Sequence, residues 1–365
     1  MTVDYIKPEE FSTDKEDLMS FGTKGRNDVY TYIIAEIGIN HMGNMGIAEQ
    51  MIKAAAKAGA DAVKFQKRDI VNTYTRKMLN QNYNSENSFG QTYGSHRHNL
   101  EFAYNDYKTL MKYCTLYGIE FLCTPWDEQS VDVLERLGVS MYKIASADLT
   151  NLPLLKKIAK LKKPMIISTG MATFDMIDEA VKTVHNEGNF DIALLYCVSS
   201  YPTNFDDISI YFMDVYNQRY PKCTIGYSGH ELGLSISTAM VARGARIIER
   251  HITLDRSFKG SDQKSSLEIG AFGKLCRDIR IVNQAMSIYP NYKYIYPDEE
   301  KSYKKLGKSI VSAREIPVGK ILDEKDIILK SPGIGLNYLN REKLLGKAAL
   351  KRIEKDELLY ESDFS

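Results

Sequence analysis

The chain has 365 residues, with 48 Lys and Arg against 47 Asp and Glu, a formal net charge of +1. A balance this even leaves no electrostatic footprint for nucleic acid or an anionic membrane. Hydrophobic residues at 44% and charged residues at 26% exclude a globally disordered chain, and no eighteen-residue apolar run is present to span a bilayer.

The opening MTVDYIKPEEFSTDKEDL is polar and acidic and lacks an apolar h-region, so no secretory leader is expected. From Tyr32 a pattern sets in. YIIAEIG is a β-branched run, followed by the helically spaced IAEQMIKAAAKAG and the strand-like DAVKFQ. Helical YKTLMKYCTLYG leads into IEFLCTP, SVDVLERLG into SMYKIAS, LPLLKKIAKLKK into PMIISTG, and MIDEAVKTVHNEG into DIALLYCV. CTIGYS follows, and LSISTAMVARG leads into RIIERHIT before a last helix from about Leu267. Strands beginning near Tyr32, Asp61, Ile119, Ser140, Pro164, Ile192, Cys223 and Arg246 thus alternate with helix-length segments. Their continuous apolar character fits parallel strands covered on both faces. The pattern predicts an α/β fold, a TIM (β/α)8 barrel; an open doubly wound sheet is the rival, but a closed barrel accommodates eight strands without edges.

Two stretches depart from the repeat. Residues 67–105 are polar and long for a loop, which predicts a functional lid or a disordered segment. After Met286 the tyrosine-rich SIYPNYKYIYPDEEKS shows no periodicity and reads as a linker. The remaining sixty or so residues carry short strands and turns such as IPVGK, a module expected to have little core of its own. The domains are therefore drawn as 1–285, barrel; 286–305, linker; and 306–365, C-terminal module. Five cysteines without a CxxC pair are expected to be mostly buried apolar residues in a reducing, cytoplasmic compartment.

Reactive side chains gather at the strand ends, which in a barrel converge on one mouth. They include Glu36, Lys64, Gln66, Thr124, Lys143, Ser146, Ser168, Ser199, Ser228, Glu249 and His251. His230 and His251 fall at neighbouring strand ends with no cysteine in their motifs, a pairing that suits a divalent transition metal with open positions. His41 is a candidate substrate contact. Lys64 and Lys143, with the hydroxyls of Thr124, Ser146, Ser168 and Ser228, suit a compact ligand carrying phosphate and carboxylate. The Ser168-Thr169-Gly170 turn adds backbone donors. Glu36 and Asp148 are candidates for acid–base work or sugar hydroxyls, or else for ion pairs with the lining lysines.

AEIGINHMGN, GADAVKFQK, FLCTPWD, MYKIASAD, KPMIISTGM, SSYPT, IGYSGHELG, IERHITLD and KGSD occur in the order seen in the sialic acid synthase family, which the chain resembles from about Tyr32 to its C-terminus. The last sixty residues resemble that family's antifreeze-like SAF domain. The resemblance implies a TIM barrel followed by a small SAF domain, and an enzyme that condenses phosphoenolpyruvate with an N-acetylmannosamine-type sugar and releases phosphate. It implies Mn2+, or Mg2+ or Co2+, on His230 and His251, and phosphoenolpyruvate contacts at Lys64, Thr124, Lys143, Ser146, Ser168 and Ser228. It places Gln66, Ser199, Tyr201 and Asp262 in the substrate site, with Glu36 as a base for water. It further implies a homodimer in which the C-terminal module covers the partner's barrel.

The chain departs from many family members in Ser228-Gly229-His230, in Asp148 where others have Glu, and in Lys330-Ser331-Pro332-Gly333-Ile334-Gly335, which lacks the usual arginine. KFQK, the TYGSHRHNLEF loop, YSGHE and KGSD resemble the animal-type branch, whose sugar carries a 6-phosphate. Lys67, Arg68, His96, Arg97 and His98 are candidates to receive it. Other readings are the same condensation with a 2,4-diacetamido-dideoxy sugar, a Schiff-base sugar aldolase, and a non-catalytic carbohydrate-binding protein.

Overall fold

The computed structural model describes residues 29–287 and 293–365. The opening segment, on which the leader expectation rests, lies outside the described residues, as do residues 288–292. The chain divides into two units between Ile288 and Tyr289.

The first unit is built on eight parallel strands: β1 (Tyr32–Gly38), β2 (Ala62–Lys67), β3 (Glu120–Pro125), β4 (Tyr142–Ile144), β5 (Met165–Ser168), β6 (Ile192–Cys197), β7 (Thr224–Gly229) and β8 (Ile247–Thr253). They are hydrogen-bonded in the order β3-β2-β1-β8-β7-β6-β5-β4. The end strands β3 and β4 lie side by side, so the ring is nearly closed. β1 pairs with both β2 and β8, joining the chain's earliest and latest barrel strands. That pairing decides for the barrel over the open sheet. A short ninth strand, β9 (Leu267–Glu268), joins β8.

Helices alternate with the strands because their ends are marked. The helix Met45–Ala58 is capped by the Asn44 side chain on Ile47 N and ends at Gly59, whose φ of 97° suits glycine. Ala48, Met51, Ile52 and Ala55 form its buried stripe, packed with the outward-facing Ile33, Ala35 and Ile37 of β1 in the main apolar cluster. The inward-facing residues form a second, smaller cluster that includes Tyr32, Ile34, Leu122, Ile166, Leu195 and Ile247. Side chains alternate across a strand, so the next inward positions are fixed by parity. They are Glu36 above Ile34, Lys64 above Ala62, Thr124 above Leu122, Ser168 above Ile166, Cys197 above Leu195 and Glu249 above Ile247. Each inward column therefore changes from apolar to polar toward the C-terminal end of its strand.

Residues 67–105 are more structured than the expected lid. They contain the helices Ile70–Thr73, Arg76–Leu79 and Tyr93–Leu100. Tyr74, Tyr83, Tyr93 and His96 pack ring against ring at centroid distances of 4.6–6.0 Å. Cys114, Cys123, Cys197 and Cys276 are buried and all five cysteines are free.

In the second unit, the stretch expected to lack periodicity contains a helix, Pro297–Leu306. It buries no residue, so it shows no apolar stripe. Pro297 in the first turn, with Asp298, Glu299 and Glu300 there and Lys304 and Lys305 in the last, suits the helix dipole instead. The antiparallel pair β10 (Ser309–Ser312) and β11 (Ile327–Lys330) follows. Contrary to expectation this unit has an apolar core of its own, including Ile310, Ile316, Leu322, Leu344, Ile353 and Leu359, each at most 1% exposed. Asp326, fully buried, holds Arg314, Lys320 and the Asp323 N–H.

Candidate active site

Strand register brings the polar residues to one level. Glu36 on β1 lies opposite Lys64 on β2 and His251 on β8. Ser228 on β7 lies opposite Cys197 on β6 and Glu249 on β8. Four buried ionisable groups meet there. Lys64 Nζ lies 2.7 Å from Glu36 Oε2 and 3.8 Å from Glu249 Oε1, and donates to Thr124 Oγ1 at 3.2 Å. Lys143 Nζ donates to Ser168 Oγ at 2.6 Å and to the Ile144 carbonyl at 2.9 Å, with Glu249 Oε2 at 3.8 Å. Ser228 Oγ donates to Glu249 Oε1 at 3.3 Å, and Gln66 Nε2 to Glu36 Oε1 at 2.6 Å.

Burial and pairing tune these groups in different directions. Burial pushes the Glu36 carboxyl above the usual carboxylate range, against the pull of Lys64. Burial likewise pulls Lys143 below the usual lysine range. For Lys64 burial is outweighed by the carboxylates of Glu249 and Glu36, which lift it. For Glu249 burial is outweighed by Lys143 and Lys64, which hold it down.

A cradle adjoins this layer. Gly170 N donates to Ser146 Oγ at 3.0 Å, and a Cβ at Gly170 would overlap Ser199 Oγ and lie 2.9 Å from Ser146 Oγ. Ser146 Oγ is 3.7 Å and Ser199 Oγ 3.9 Å from Cys197 Sγ. The turn after β5 thus packs closely against these hydroxyls only because residue 170 has no side chain.

The two imidazoles lie with centroids 5.4 Å apart, and the half-exposed Tyr201 ring is 4.2 Å from His230 and 6.0 Å from His251. His230 Nδ1 is 2.9 Å from the Val198 carbonyl; assigning the proton to that nitrogen leaves Nε2 as its metal-binding atom. Burial pulls His230 down, but Cys197 Sγ at 3.9 Å lifts it above the usual value. Burial pushes His251 down to about 4, and its buried Nδ1 has no hydrogen-bond partner, with Asp262 Oδ2 at 3.8 Å. Among the described residues no three His, Cys, Asp or Glu side chains gather as a closed metal cluster. A neutral imidazole with an orphaned nitrogen beside a second imidazole fits a divalent ion whose remaining positions stay open.

Other candidates fall elsewhere. Asp148, 8% exposed, lines a cleft of about 490 Å3 with Tyr74, Trp126, Asp127 and Asn151, a cleft that the imidazoles do not line. Burial raises its carboxyl, with Asn151 and Arg68 opposing. His41 is buried and stacked 4.3 Å from Phe102, its Nδ1 accepting from Gly43 N, and burial pushes it down to about 3. Its Nδ1 is thus used by its own turn. Of the five cations proposed for a sugar phosphate, Lys67 is bound to Glu101 at 2.7 Å. His96 is buried, accepts from Phe89 N at 3.0 Å and is pushed down to about 4 by burial. His98 is exposed.

The role of Glu249 in this layer emerges only from the strand packing. Its position two residues before His251 put it on the same inward face, and that parity was the available signal. The Arg250–Glu231 pair faces the other way, and only the fold reveals it. Arg250 Nη1 donates to Glu231 Oε1 at 2.8 Å and to Ser237 Oγ at 2.8 Å, with the pair buried.

Residues 51–289 match the NeuB family and residues 307–365 the SAF domain. The chain is 40% identical over 332 residues to the N-acetylneuraminate-9-phosphate synthase of Homo sapiens, covering 90% of this chain and 91% of that protein. It is 38% identical to the N,N'-diacetyllegionaminic acid synthase of Campylobacter jejuni, over 91% of this chain and 99% of that one. The crystal structure of the N-acetylneuraminic acid synthetase of Leptospira borgpetersenii, in complex with citrate, aligns with a TM-score of 0.65 at 32% identity, over 75% of this chain and 91% of that one.

Proposed function

The chain belongs to the NeuB family, and from that membership we propose that it condenses phosphoenolpyruvate with N-acetylmannosamine or its 6-phosphate, giving N-acetylneuraminate or its 9-phosphate and phosphate. The observation that carries this reading is the buried layer in which Glu36, Lys64, Lys143 and Glu249 meet beside two imidazoles. Such a layer suits a small anion bearing carboxylate and phosphate that reacts with a carbonyl compound. The human relative's product carries a 9-phosphate. The three carbons of phosphoenolpyruvate become the first three of the product, so a phosphate on carbon nine enters on sugar carbon six. The phosphorylated sugar is therefore the favoured acceptor.

Lys64 and Lys143 neutralise the carboxylate and phosphate of phosphoenolpyruvate, and their charges stand in place before the reaction begins. The hydroxyls of Thr124, Ser146, Ser168 and Ser228 and the Gly170 cradle orient those groups. Gln66, Ser199, Tyr201 and Asp262 hold the sugar, and Asp148 is available to its hydroxyls from the adjoining cleft. A divalent cation on His230 and His251, Mn2+ or else Mg2+ or Co2+, would supply Lewis-acid polarisation of the sugar aldehyde. The methylene carbon of phosphoenolpyruvate then bonds to the aldehyde carbon, whose oxygen takes up a proton and becomes a hydroxyl, and water adds to the second carbon of the phosphoenolpyruvate unit. Glu36, with its raised affinity for protons, takes the proton of that water. Cleavage of the bond between that carbon and the phosphate oxygen releases phosphate, which leaves with the proton of the added hydroxyl as the hydroxyl oxygen becomes the keto oxygen.

A homodimer and a cytoplasmic location go with this reading on the resemblance alone; no helix among the described residues is long and apolar enough to cross a membrane. Light scattering of the full chain measures the first. The Campylobacter relative supports a second acceptor, a 2,4-diacetamido-dideoxy sugar. The lowered basicity of Lys143 is what a Schiff-base aldolase would need. Phosphate release from phosphoenolpyruvate with each of the three sugars in Mn2+ buffer separates the acceptors. No release with any of them, together with borohydride trapping of pyruvate on Lys143, would establish the aldolase instead.

A further inference from the structure

Two arginines beside the mouth are held in place without a counter-anion. Arg68 follows Lys64 and Gln66 at the next alternate position of the chain and is 5% exposed. Its guanidinium stacks 4.1 Å over the Trp126 ring and donates through Nη2 to Gln66 Oε1. Its buried Nε has no hydrogen-bond partner. Arg97, on the helix Tyr93–Leu100, donates through Nε and Nη2 to Tyr93 Oη at 2.9 and 2.7 Å. Its guanidinium lies 5.0 Å from the Tyr93 centroid and 5.8 Å from that of Tyr74. Among the described residues neither guanidinium is in ion-pair contact with a carboxylate. A buried guanidinium without a counter-charge is costly to keep, and an anionic ligand offsets that cost.

Both arginines lie against rings that line one cleft, Arg68 over Trp126 and Arg97 over Tyr74. Burial raises the Tyr74 hydroxyl, and Arg68 and Arg97 both oppose that rise, so one hydroxyl lies in the field of both cations. Tyr74 and Trp126 line the cleft that also contains Asp148. Arg68 is joined to Glu36 through Gln66. Arg97 lies within the field of Asp262, which adjoins His251.

We infer that Arg68 and Arg97 form the binding site for a phosphate monoester at the far end of the acceptor sugar. The planar guanidinium is shaped for bidentate contact with phosphate, and stacking on Trp126 fixes its plane. The inference rests on the proposed condensation and adds to it the residues that tell the phosphorylated sugar from the free one. Lys67 and His96, already engaged by Glu101 and the Phe89 N–H, are not part of it.

The test compares kcat/KM for N-acetylmannosamine 6-phosphate and N-acetylmannosamine in the full-length protein and in Arg68→Gln, Arg68→Lys and Arg97→Gln. The ratio of the two values is expected to fall on the order of 10- to 100-fold in each Gln variant. Arg68→Lys, which keeps the charge but not the fork, recovers part of it. Calorimetric titration of the 6-phosphate should show the same loss of affinity. Equal falls with both sugars would overturn the inference and give Arg68 a positioning role through Gln66. So would an unmodified protein that does not prefer the 6-phosphate. Arg97→Gln, at a half-buried site, keeps the test available if Arg68 variants fail to fold. No turnover with either sugar would overturn the proposed function and the inference with it; turnover with an unaltered ratio overturns the inference alone.

Discussion

Arg250 and Glu231 form a buried ion pair at 2.8 Å, and each is the immediate chain neighbour of one of the two imidazoles, His251 and His230. The pair points away from the mouth, and Arg250 also donates to the carbonyls of Gly233 and Glu231. It therefore fixes the loop after β7 against β8, and with it the spacing between the histidines.

Glu231→Gln should lower the unfolding free energy by about 3 kcal/mol, because it leaves the Arg250 charge buried without its partner. Urea unfolding of the full chain measures this. A change under about 0.5 kcal/mol would show that the pair does not hold these two strand ends together. Since the spacing of the imidazoles depends on it, Mn2+ affinity by calorimetry should weaken as well.

Gly170→Ala places a methyl group that overlaps Ser199 Oγ and lies 2.9 Å from Ser146 Oγ. On the proposed reading the cradle orients the anion, so the KM for phosphoenolpyruvate should rise on the order of 10- to 100-fold. The KM for the sugar should move less. An unchanged phosphoenolpyruvate KM would remove the turn after β5 from the anion site.

His251→Ala should reduce turnover on the order of a thousandfold or more while leaving the far-ultraviolet spectrum intact. The readout independent of activity is thermal shift. Mn2+ should raise the Tm of the unaltered protein after chelator treatment, since a ligand bound to the native state stabilises it. It should raise that of the variant little. An equal shift in both would place the cation elsewhere.

Asp326 governs the acid tolerance of the second unit. Burial alone would raise its carboxyl, but Lys320, the Asp323 N–H and Arg314 hold it below the usual range. A carboxylate depressed in the folded state contributes stability that is full above its unfolded value of about 3.9 and is lost as pH falls through the folded value. Protection from hydrogen exchange over residues 307–365, taken relative to the slower intrinsic rate in acid, should fall below about pH 4, on the same grounds. Asp326→Asn should exchange faster at neutral pH and lose less further protection on acidification. The same acid response in the variant would assign the effect to another group.

Much of the barrel was legible because its strands are apolar runs bounded by glycine and polar residues, as at Gly59 and Gly138. Each expected start falls within two residues of the strand observed. Glu36, Lys64, Thr124, Lys143, Ser168 and Ser228 were legible for the same reason: they interrupt apolar runs near the C-terminal end. Asp148 was legible as a residue type but not in its location, because a turn of 3-10 helix, Ser146–Asp148, carries it toward the adjoining cleft. The helix Pro297–Leu306 was missed because it buries nothing and so has no apolar stripe. The roles of Lys67, His96 and Arg97 depend on packing within 67–105, where aromatic contacts between residues far apart in sequence decide which cations are occupied.

The change from apolar to polar along each inward column has a consequence for how this protein can evolve. Floor positions such as Ile34, Ile166 and Ile247 and mouth positions such as Glu36, Ser168 and Glu249 lie on the same strands, one alternation apart. A substitution on the floor alters packing volume without entering the reaction chamber, and one at the mouth alters chemistry above an undisturbed base. An insertion or deletion of a single residue within a strand would couple the two, because every side chain beyond it would exchange inside for outside. New acceptor specificities are therefore open to this scaffold through point changes at the mouth and through length changes in its loops, while strand length stays closed to them.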